Sequence, residues 1–478
     1  MLLLIEKMTR IFLLIIFVIS VVLTSSSYVL AQEEPRYPTY IVQPGETLTQ
    51  IAQKFGVSLN EMIQINGIIN ADLISAGTIL KIPGLEGVQG LLITEPIGIG
   101  ESLTGFIRSY HSDENTIVAI NKLVSPNEVY VGTNLIIPIL EDQKVYAPAQ
   151  GCKSNQSALE ISLIHQINPY LLTLQNNISS PVFLLPQESI FIDPKAHEQI
   201  ETSLISPQIR SIELLPLPIV QGRTAKVIIK TQGPAIFNGE LDGYPLQFFY
   251  DTDQGFYYTL QGIHAFAKPG LSTLRLEGNF DNDIHFFLEQ NVLLLDGNFL
   301  TDPPIFVKDE TIDPTITQPE EELVRSIISQ ISSDKLWDGN FRYPVDGSVE
   351  DDTIGFMSVF GSRRSYNNSD YNYFHTGLDF GVFVNSLNIY AAAPGRVVFS
   401  DSLIVRGITT FIDHGQGIFS GYFHQKESLV QEGDFVQAGQ LIGYIGNTGR
   451  VTGPHLHWEI WVNGVQINPV DWVLNSYP

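Results

Sequence analysis

Five of the ten histidines in this 478-residue chain fall between His375 and His457. In Pro454-His455-Leu456-His457-Trp458-Glu459-Ile460, polar and apolar residues alternate. Successive side chains of a strand point to opposite faces. His455, His457 and Glu459 therefore share one face, with Leu456, Trp458 and Ile460 packed behind. Two neighbouring imidazoles on one face are costly to bury without a purpose. A shared metal ion supplies one.

A second pair completes the pattern. In His375-Thr376-Gly377-Leu378-Asp379-Phe380, His375 and Asp379 are four residues apart. Gly377 and Gly381 weaken a helix, and an even spacing puts both side chains on one face of a strand. One His and one carboxylate here, with one His from the other segment, make three ligands. Zinc held by three protein ligands keeps one position for water, which is the catalytic arrangement. A further imidazole near neutral pKa must move protons. His424, in Gly421-Tyr422-Phe423-His424, and His455 are the candidates.

The rest of the composition narrows the class. Acidic residues outnumber basic ones 51 to 26, a formal charge of −25. A nucleic-acid binder needs a basic stripe, so nucleic acid is excluded as a partner. The single cysteine, Cys152, rules out an intramolecular disulfide framework and a Cys-rich zinc site. Any metal must then use His, Asp or Glu. Residues 340–478 carry 7 basic and 13 acidic side chains, so most of the acidic excess lies elsewhere. The length predicts several domains. Lys7 and Arg10 precede an apolar run from Ile11 to Leu23, and Val29-Leu30-Ala31 reads as a cleavage site. A membrane-spanning helix needs about 20 residues, so residues 1–31 are expected to be an export signal. The alternative is an uncleaved N-terminal membrane anchor. The protein is expected outside the cell or associated with the cell wall.

The elements before the histidines repeat. Gly45-Glu46-Thr47-Leu48-Thr49, Ile65-Asn66 and Gly77-Thr78-Ile79-Leu80-Lys81-Ile82-Pro83 recur 55 residues later. The recurrence is Gly100-Glu101-Ser102-Leu103-Thr104, Ile120-Asn121 and Gly132 to Pro138. A weaker third copy ends at Pro186 to Pro194. The fixed period marks copies of one unit. The first copy reads as strand, helix, helix, strand, with Leu48, Ile51, Ala52 and Phe55 on one helical face. Ser58 with Glu61 is expected to form a capping box on the second helix. These segments resemble LysM modules, which bind N-acetylglucosamine polymers such as the glycan strands of peptidoglycan. The resemblance assigns an α+β (βααβ) fold to 39–84 and 96–139, and a degenerate copy to 147–194. It makes Gly45, Glu46, Thr47, Leu48 and Asn66 candidate glycan-binding residues.

Residues 205–300 hold short β-prone runs separated by turn signals, which predicts a β-sandwich. It resembles the immunoglobulin-like modules that precede some secreted peptidases. Residues 301–339 read as a proline-rich acidic linker, then an amphipathic helix from Glu320 to Ser333 with Leu323, Ile327, Ile328 and Ile331 on its apolar side. Self-inhibition is a further expectation, with the sandwich or the linker helix covering the groove and acidic side chains of Asp309 to Glu322 approaching the metal.

The last region, 340–478, resembles the lysostaphin-type (LytM-like) zinc endopeptidases. The resemblance is carried by Phe360-Gly361-Ser362-Arg363, His375-Thr376-Gly377-Leu378-Asp379, Asp413-His414-Gly415, Gly446-Asn447-Thr448-Gly449 and His455-Leu456-His457. It implies a mainly-β domain of antiparallel sheets with a duplicated hybrid motif. It implies Zn2+ held by His375, Asp379 and His457, with His424 and His455 as catalytic residues. The substrate implied is the peptide part of peptidoglycan, either glycyl-glycine or D-alanyl-diaminopimelate links. A non-enzymatic scaffold that activates another hydrolase is the competing expectation.

Overall fold

The computed structural model of the chain describes residues 37–478, except 44–45, 72, 86, 111, 126–128, 141–147, 152–156, 165–166, 177, 179–188, 192–207, 282–283, 348–354 and 383–385. The expected export signal, Gly45 and Cys152 lie outside the described residues. The chain divides into two compact units, 1–92 with 138–141, and 93–137 with 142–478.

The first unit holds the first repeat: β1 (Thr39–Ile41), α1 (Leu48–Phe55), α2 (Leu59–Asn66) and β2 (Ile79–Lys81). Leu48, Ile51, Ala52 and Phe55 are buried on one face of α1. Thr47 caps that helix in a capping box with Gln50. The capping box expected at Ser58 does not form, because the Ser58 side chain makes no cap hydrogen bond. Met62 is the buried residue of α2.

The second unit begins with the second repeat: β3 (Leu91–Pro96, whose first two residues belong to the first unit), α3 (Leu103–Ser109), α4 (Glu114–Ile120) and β4 (Asn134–Ile139, whose last two residues belong to the first unit). A third copy has the same order: β5 (Pro148–Gly151), α5 (Ala158–Ile164), α6 (Pro169–Gln175) and β6 (Ser189–Phe191). One side chain ties each copy together. The Asn66 amide donates to Met62 O at 2.9 Å and Lys81 O at 2.8 Å, and accepts from Lys81 N at 2.7 Å. Asn121 does the same with Ile117 and Ile136. Asn176 does so with Leu172 and Phe191. Both amide donors and the carbonyl are thus spent on clamping a helix to the closing strand.

The middle region is two facing sheets. Its strands are β7 (Ile209–Leu215), β8 (Ile219–Val220), β9 (Thr224–Thr231), β10 (Ala235–Leu241), β11 (Tyr244–Pro245), β12 (Phe249–Asp251), β13 (Phe256–Gly262), β14 (Gly270–Phe280) and β15 (Ile284–Leu295). The sheet orders are β11-β10-β14-β15-β8 and β12-β13-β9-β7. Their shared core also takes in Ile99 and Val131 of the second repeat.

The segment expected as a free linker is packed instead. Ile305 N donates to Ser365 O, Asn367 N donates to Ile305 O, and Arg450 Nη1 donates to Thr311 O. Helix α7 spans Pro314–Ile328, beginning before the expected Glu320 and ending before Ser333. Asp313 caps it and Pro314 occupies its first turn, where the missing N–H costs nothing. Its buried stripe is Glu320, Val324, Ile327 and Ile328, while Leu323 and Ile331 are exposed. A charged residue sits on the stripe, which hides its phase from an apolar-pattern reading.

The C-terminal region adds β16 (Phe356–Ser358), β17 (Arg363–Arg364), β18 (Tyr373–Phe374), β19 (Leu378–Gly381), β20 (Asn388–Tyr390), β21 (Gly395–Leu403), β22 (Gly407–Gly415) and β23 (Ile418–Ser428). Then come β24 (Phe435–Val436), β25 (Leu441–Ile445), β26 (His455–Val462), β27 (Val465–Ile467) and α8 (Pro469–Leu474). The main path is β16-β19-β26-β23-β22-β21-β24, and every pairing along it is antiparallel. One sheet face shares a core with Ile228, Phe256, Tyr258 and Leu260 of the sandwich. The other face carries the histidines and, beyond them, Phe411, Phe419, Phe423 and Trp461 packed against α7.

Candidate metal centre and catalytic groove

Strand register builds the centre. Antiparallel pairing of β19 with β26 sets Asp379 opposite His457, with Leu378 opposite Trp458 and Phe380 opposite Leu456. Leu378, Phe380, Leu456 and Trp458 are buried in the core behind. His375 does not share the strand with Asp379 as expected. It lies between β18 and β19, where its backbone pairs with Gly361 and Ser362. Gly377 permits that path, since a Cβ there would overlap the Trp458 carbonyl. His375 Nε2 nonetheless lies 2.9 Å from Asp379 Oδ1 and 2.9 Å from His457 Nδ1. His457 Nδ1 lies 2.8 Å from Asp379 Oδ1.

The outer partners fix which nitrogens face inward. His375 Nδ1 lies 3.0 Å from the Val359 carbonyl, so it carries the proton and leaves Nε2 bare. His457 Nε2 lies 3.2 Å from Glu459 Oε1, which leaves Nδ1 bare. Two bare nitrogens and a carboxylate oxygen therefore converge with no donor among them. That set fits a cation, and two imidazoles with one carboxylate suit zinc. The second oxygen of Asp379 lies 3.5 Å from Arg364, which also pairs with Asp302.

Burial and charge oppose each other at this centre. Burial alone would raise the Asp379 carboxyl, but His375 and His457 hold it well below the usual range. Burial lowers His375. Burial opposes a charge on His457 too, yet Asp379 and Glu459 outweigh it and raise its pKa.

His424 and His455 flank this centre with ring centroids 4.8 Å apart. His455 Nε2 is 3.7 Å from Asp379 Oδ1, and the His424 and His457 ring centroids are 6.1 Å apart. His424 Nδ1 is held by the Thr448 carbonyl at 2.8 Å, and His455 Nδ1 by the Gly453 carbonyl at 2.9 Å. Each therefore keeps its Nε2 bare. Burial, with His455 and His457 nearby, pushes His424 well below its ordinary pKa. His424 also holds a left-handed backbone, φ 60°. Such a conformation costs about 1–3 kcal/mol in a non-glycine residue and clusters at functional sites.

These side chains open into a cleft of about 410 Å3. Its walls include Tyr373, Arg450 and, from the packed segment, Ile305, Thr317 and Glu321. Sequence reasoning missed Arg364, Arg406 and Glu320, which lie outside the histidine pattern. His414 stands apart, with Nδ1 2.7 Å from Pro394 O and Nε2 2.8 Å from Ser420 Oγ.

The candidate glycan-binding residues are placed differently. Leu48 is buried, Thr47 is a helix cap, and Asn66 is the clamp described above. Glu46 accepts from Tyr40 Oη and from Gln43 N. Each of these four residues thus has a structural part in the module.

Residues 373–469 match Peptidase family M23, and residues 40–83 and 97–138 match the LysM domain. The peptidoglycan DD-endopeptidase ShyA of Vibrio cholerae serotype O1 is 37% identical over 127 residues, 27% of this chain and 28% of ShyA. The DD-carboxypeptidase/endopeptidase Mpg of Neisseria meningitidis serogroup B is 38% identical over 96 residues, 20% of this chain and 22% of Mpg. The chain thus spans about a quarter of the length of these curated relatives. The solved catalytic domain of lysostaphin from Staphylococcus simulans is 24% identical, covering 27% of this chain and 100% of its own, with a TM-score of 0.24. By the family models, then, the chain has a segment similar to peptidase family M23, preceded by two segments similar to the LysM domain.

Proposed function

We propose that this protein is an exported zinc-dependent endopeptidase that hydrolyses peptide bonds in peptidoglycan stem peptides or cross-bridges. Its LysM repeats would hold it on glycan strands and so raise the local substrate concentration. The observation that carries the reading is the convergence of His375 Nε2, Asp379 Oδ1 and His457 Nδ1 beside a cleft that Asp379 and His457 line. These three residues would hold the zinc. Bound there, zinc supplies Lewis acidity, acidifying water and polarising the scissile carbonyl.

The chain's own residues do the proton work. His424 and His455 each present a bare Nε2 beside the centre, because a carbonyl holds the opposite nitrogen. One takes a proton from the attacking water and delivers it to the departing amine. The other, when protonated, donates to the oxygen that gains charge in the transition state. Arg364 keeps one Asp379 oxygen occupied, so the other remains directed at the imidazoles.

The test separates ligands from proton carriers. His457→Ala is expected to lose stoichiometric zinc by elemental analysis. His424→Ala is expected to retain zinc and lose at least about 100-fold in turnover. Full activity in His424→Ala would refute the role given to that residue.

A further inference from the structure

Helix α7 lies outside the family-matched residues 373–469. It reaches the centre nonetheless, and by two routes. Glu320 is 6% exposed, and its Oε2 accepts from Val405 N at 2.7 Å. Its Oε1 accepts from Arg406 Nη1 at 2.9 Å and from Arg406 N at 3.2 Å. This fixes the chain at 405–406, and the Arg406 carbonyl accepts from His424 N at 2.9 Å. His424 is the residue in the left-handed conformation, which persists only where its surroundings over-determine it.

The second route runs through Phe423. The Arg406 guanidinium lies 5.5 Å from the centre of the Phe423 ring. Phe423 stacks on the His457 imidazole at 5.4 Å with an interplanar angle of 13°. The same ring packs in one buried cluster with Val324, Ile327 and Ile328 of α7. Glu459, which lies against His457 Nε2, is held by Trp461 Nε1 at 2.8 Å, and Trp461 belongs to that cluster.

A buried Glu–Arg pair is a poor source of stability, because desolvation offsets most of the attraction. An apolar residue at position 320 would continue the α7 stripe. The carboxylate therefore calls for a different explanation.

We infer that Glu320 is a positioning residue: through Arg406 it holds the His424 backbone and the Phe423 ring that stacks on His457. The catalytic unit thus begins at α7, well before the matched domain. This rests on the roles proposed above for His424 and His457.

The test uses Glu320→Ala and Glu320→Gln in the full chain, with Ile229→Val in the sandwich core as a destabilised reference. Zinc affinity is read by chelator competition, and kcat and KM on a soluble peptide, at a temperature where all are folded. Glu320→Ala should weaken zinc binding about tenfold and lower kcat about tenfold, with KM within about twofold. Glu320→Gln keeps an acceptor for one of the two backbone N–H groups, Val405 N or Arg406 N, and turns an NH2 toward the other; it should lose about threefold in each. It also serves if the alanine variant does not fold. Ile229→Val should lower Tm and leave zinc affinity and kcat unchanged. Wild-type zinc affinity and kcat in both Glu320 variants would overturn the inference. So would equal losses in Ile229→Val. If the wild-type chain bound zinc but cleaved no peptide, the proposed activity would fall, and the chelator competition would still decide this point.

Discussion

Which nitrogen carries the proton decides what each histidine can do. His375, His424 and His455 all give Nδ1 to a backbone carbonyl, while His457 turns Nε2 to Glu459. His414 shows the contrasting case of an imidazole with both nitrogens engaged inside the fold. Burial lowers its pKa from 6.5 to about 4. The folded value lies below the unfolded one, so His414 costs nothing above pH 6.5. As pH falls toward 4 the unfolded chain takes the proton first and stability drops. The full loss from this group is about 3 kcal/mol. Tm measured between pH 7 and pH 4 should fall less steeply in His414→Gln than in the wild type. Parallel slopes would contradict the assignment. At this scale much was legible in the sequence. The alternation from His455 to Ile460 maps directly onto a strand with one polar face. The path of His375 was not legible, because it depends on Gly377 passing under Trp458, a contact 81 residues away in the chain.

Elements carry the next layer. The 55-residue period seen in the sequence is the spacing of Asn66, Asn121 and Asn176, each clamping a helix to a closing strand. Asn121→Ala should destabilise the second repeat by about 2–3 kcal/mol, since three hydrogen bonds go and backbone groups are left unpaired. Urea unfolding checks this, and an unchanged midpoint would show the clamp to be dispensable. The repeat was readable because the turn and cap residues recur with it. Helix α7 was misread for the opposite reason. Pro319 lies inside it and Glu320 sits on its buried stripe, so neither propensity nor apolar period marks its true extent. Tertiary packing against Phe411, Phe419 and Phe423 overrides both.

Across the whole molecule, the second unit is knit together where the sequence suggested separate modules. Thr224 N donates to Asp471 Oδ2 and Trp472 Nε1 donates to Thr224 Oγ1, both at 2.9 Å, joining sandwich to C-terminal region. Ile99 and Val131 of the second repeat enter the sandwich core. The first repeat lies in the other unit, so it is the part to remove when testing targeting. Deleting residues 39–84 should weaken co-sedimentation with sacculi and leave hydrolysis of a soluble peptide unchanged. Equal co-sedimentation would sink the targeting role. No helix among the described residues is long and apolar enough to cross a membrane. The most direct measurement is mass spectrometry of muropeptides released from purified sacculi by the chain lacking its first 31 residues. A chelator control and His424→Ala should run beside it. Zinc-dependent peptide cleavage predicts new products that vanish with chelator and with the variant. Products that persist in either control, or none from any wall chemotype, would contradict it.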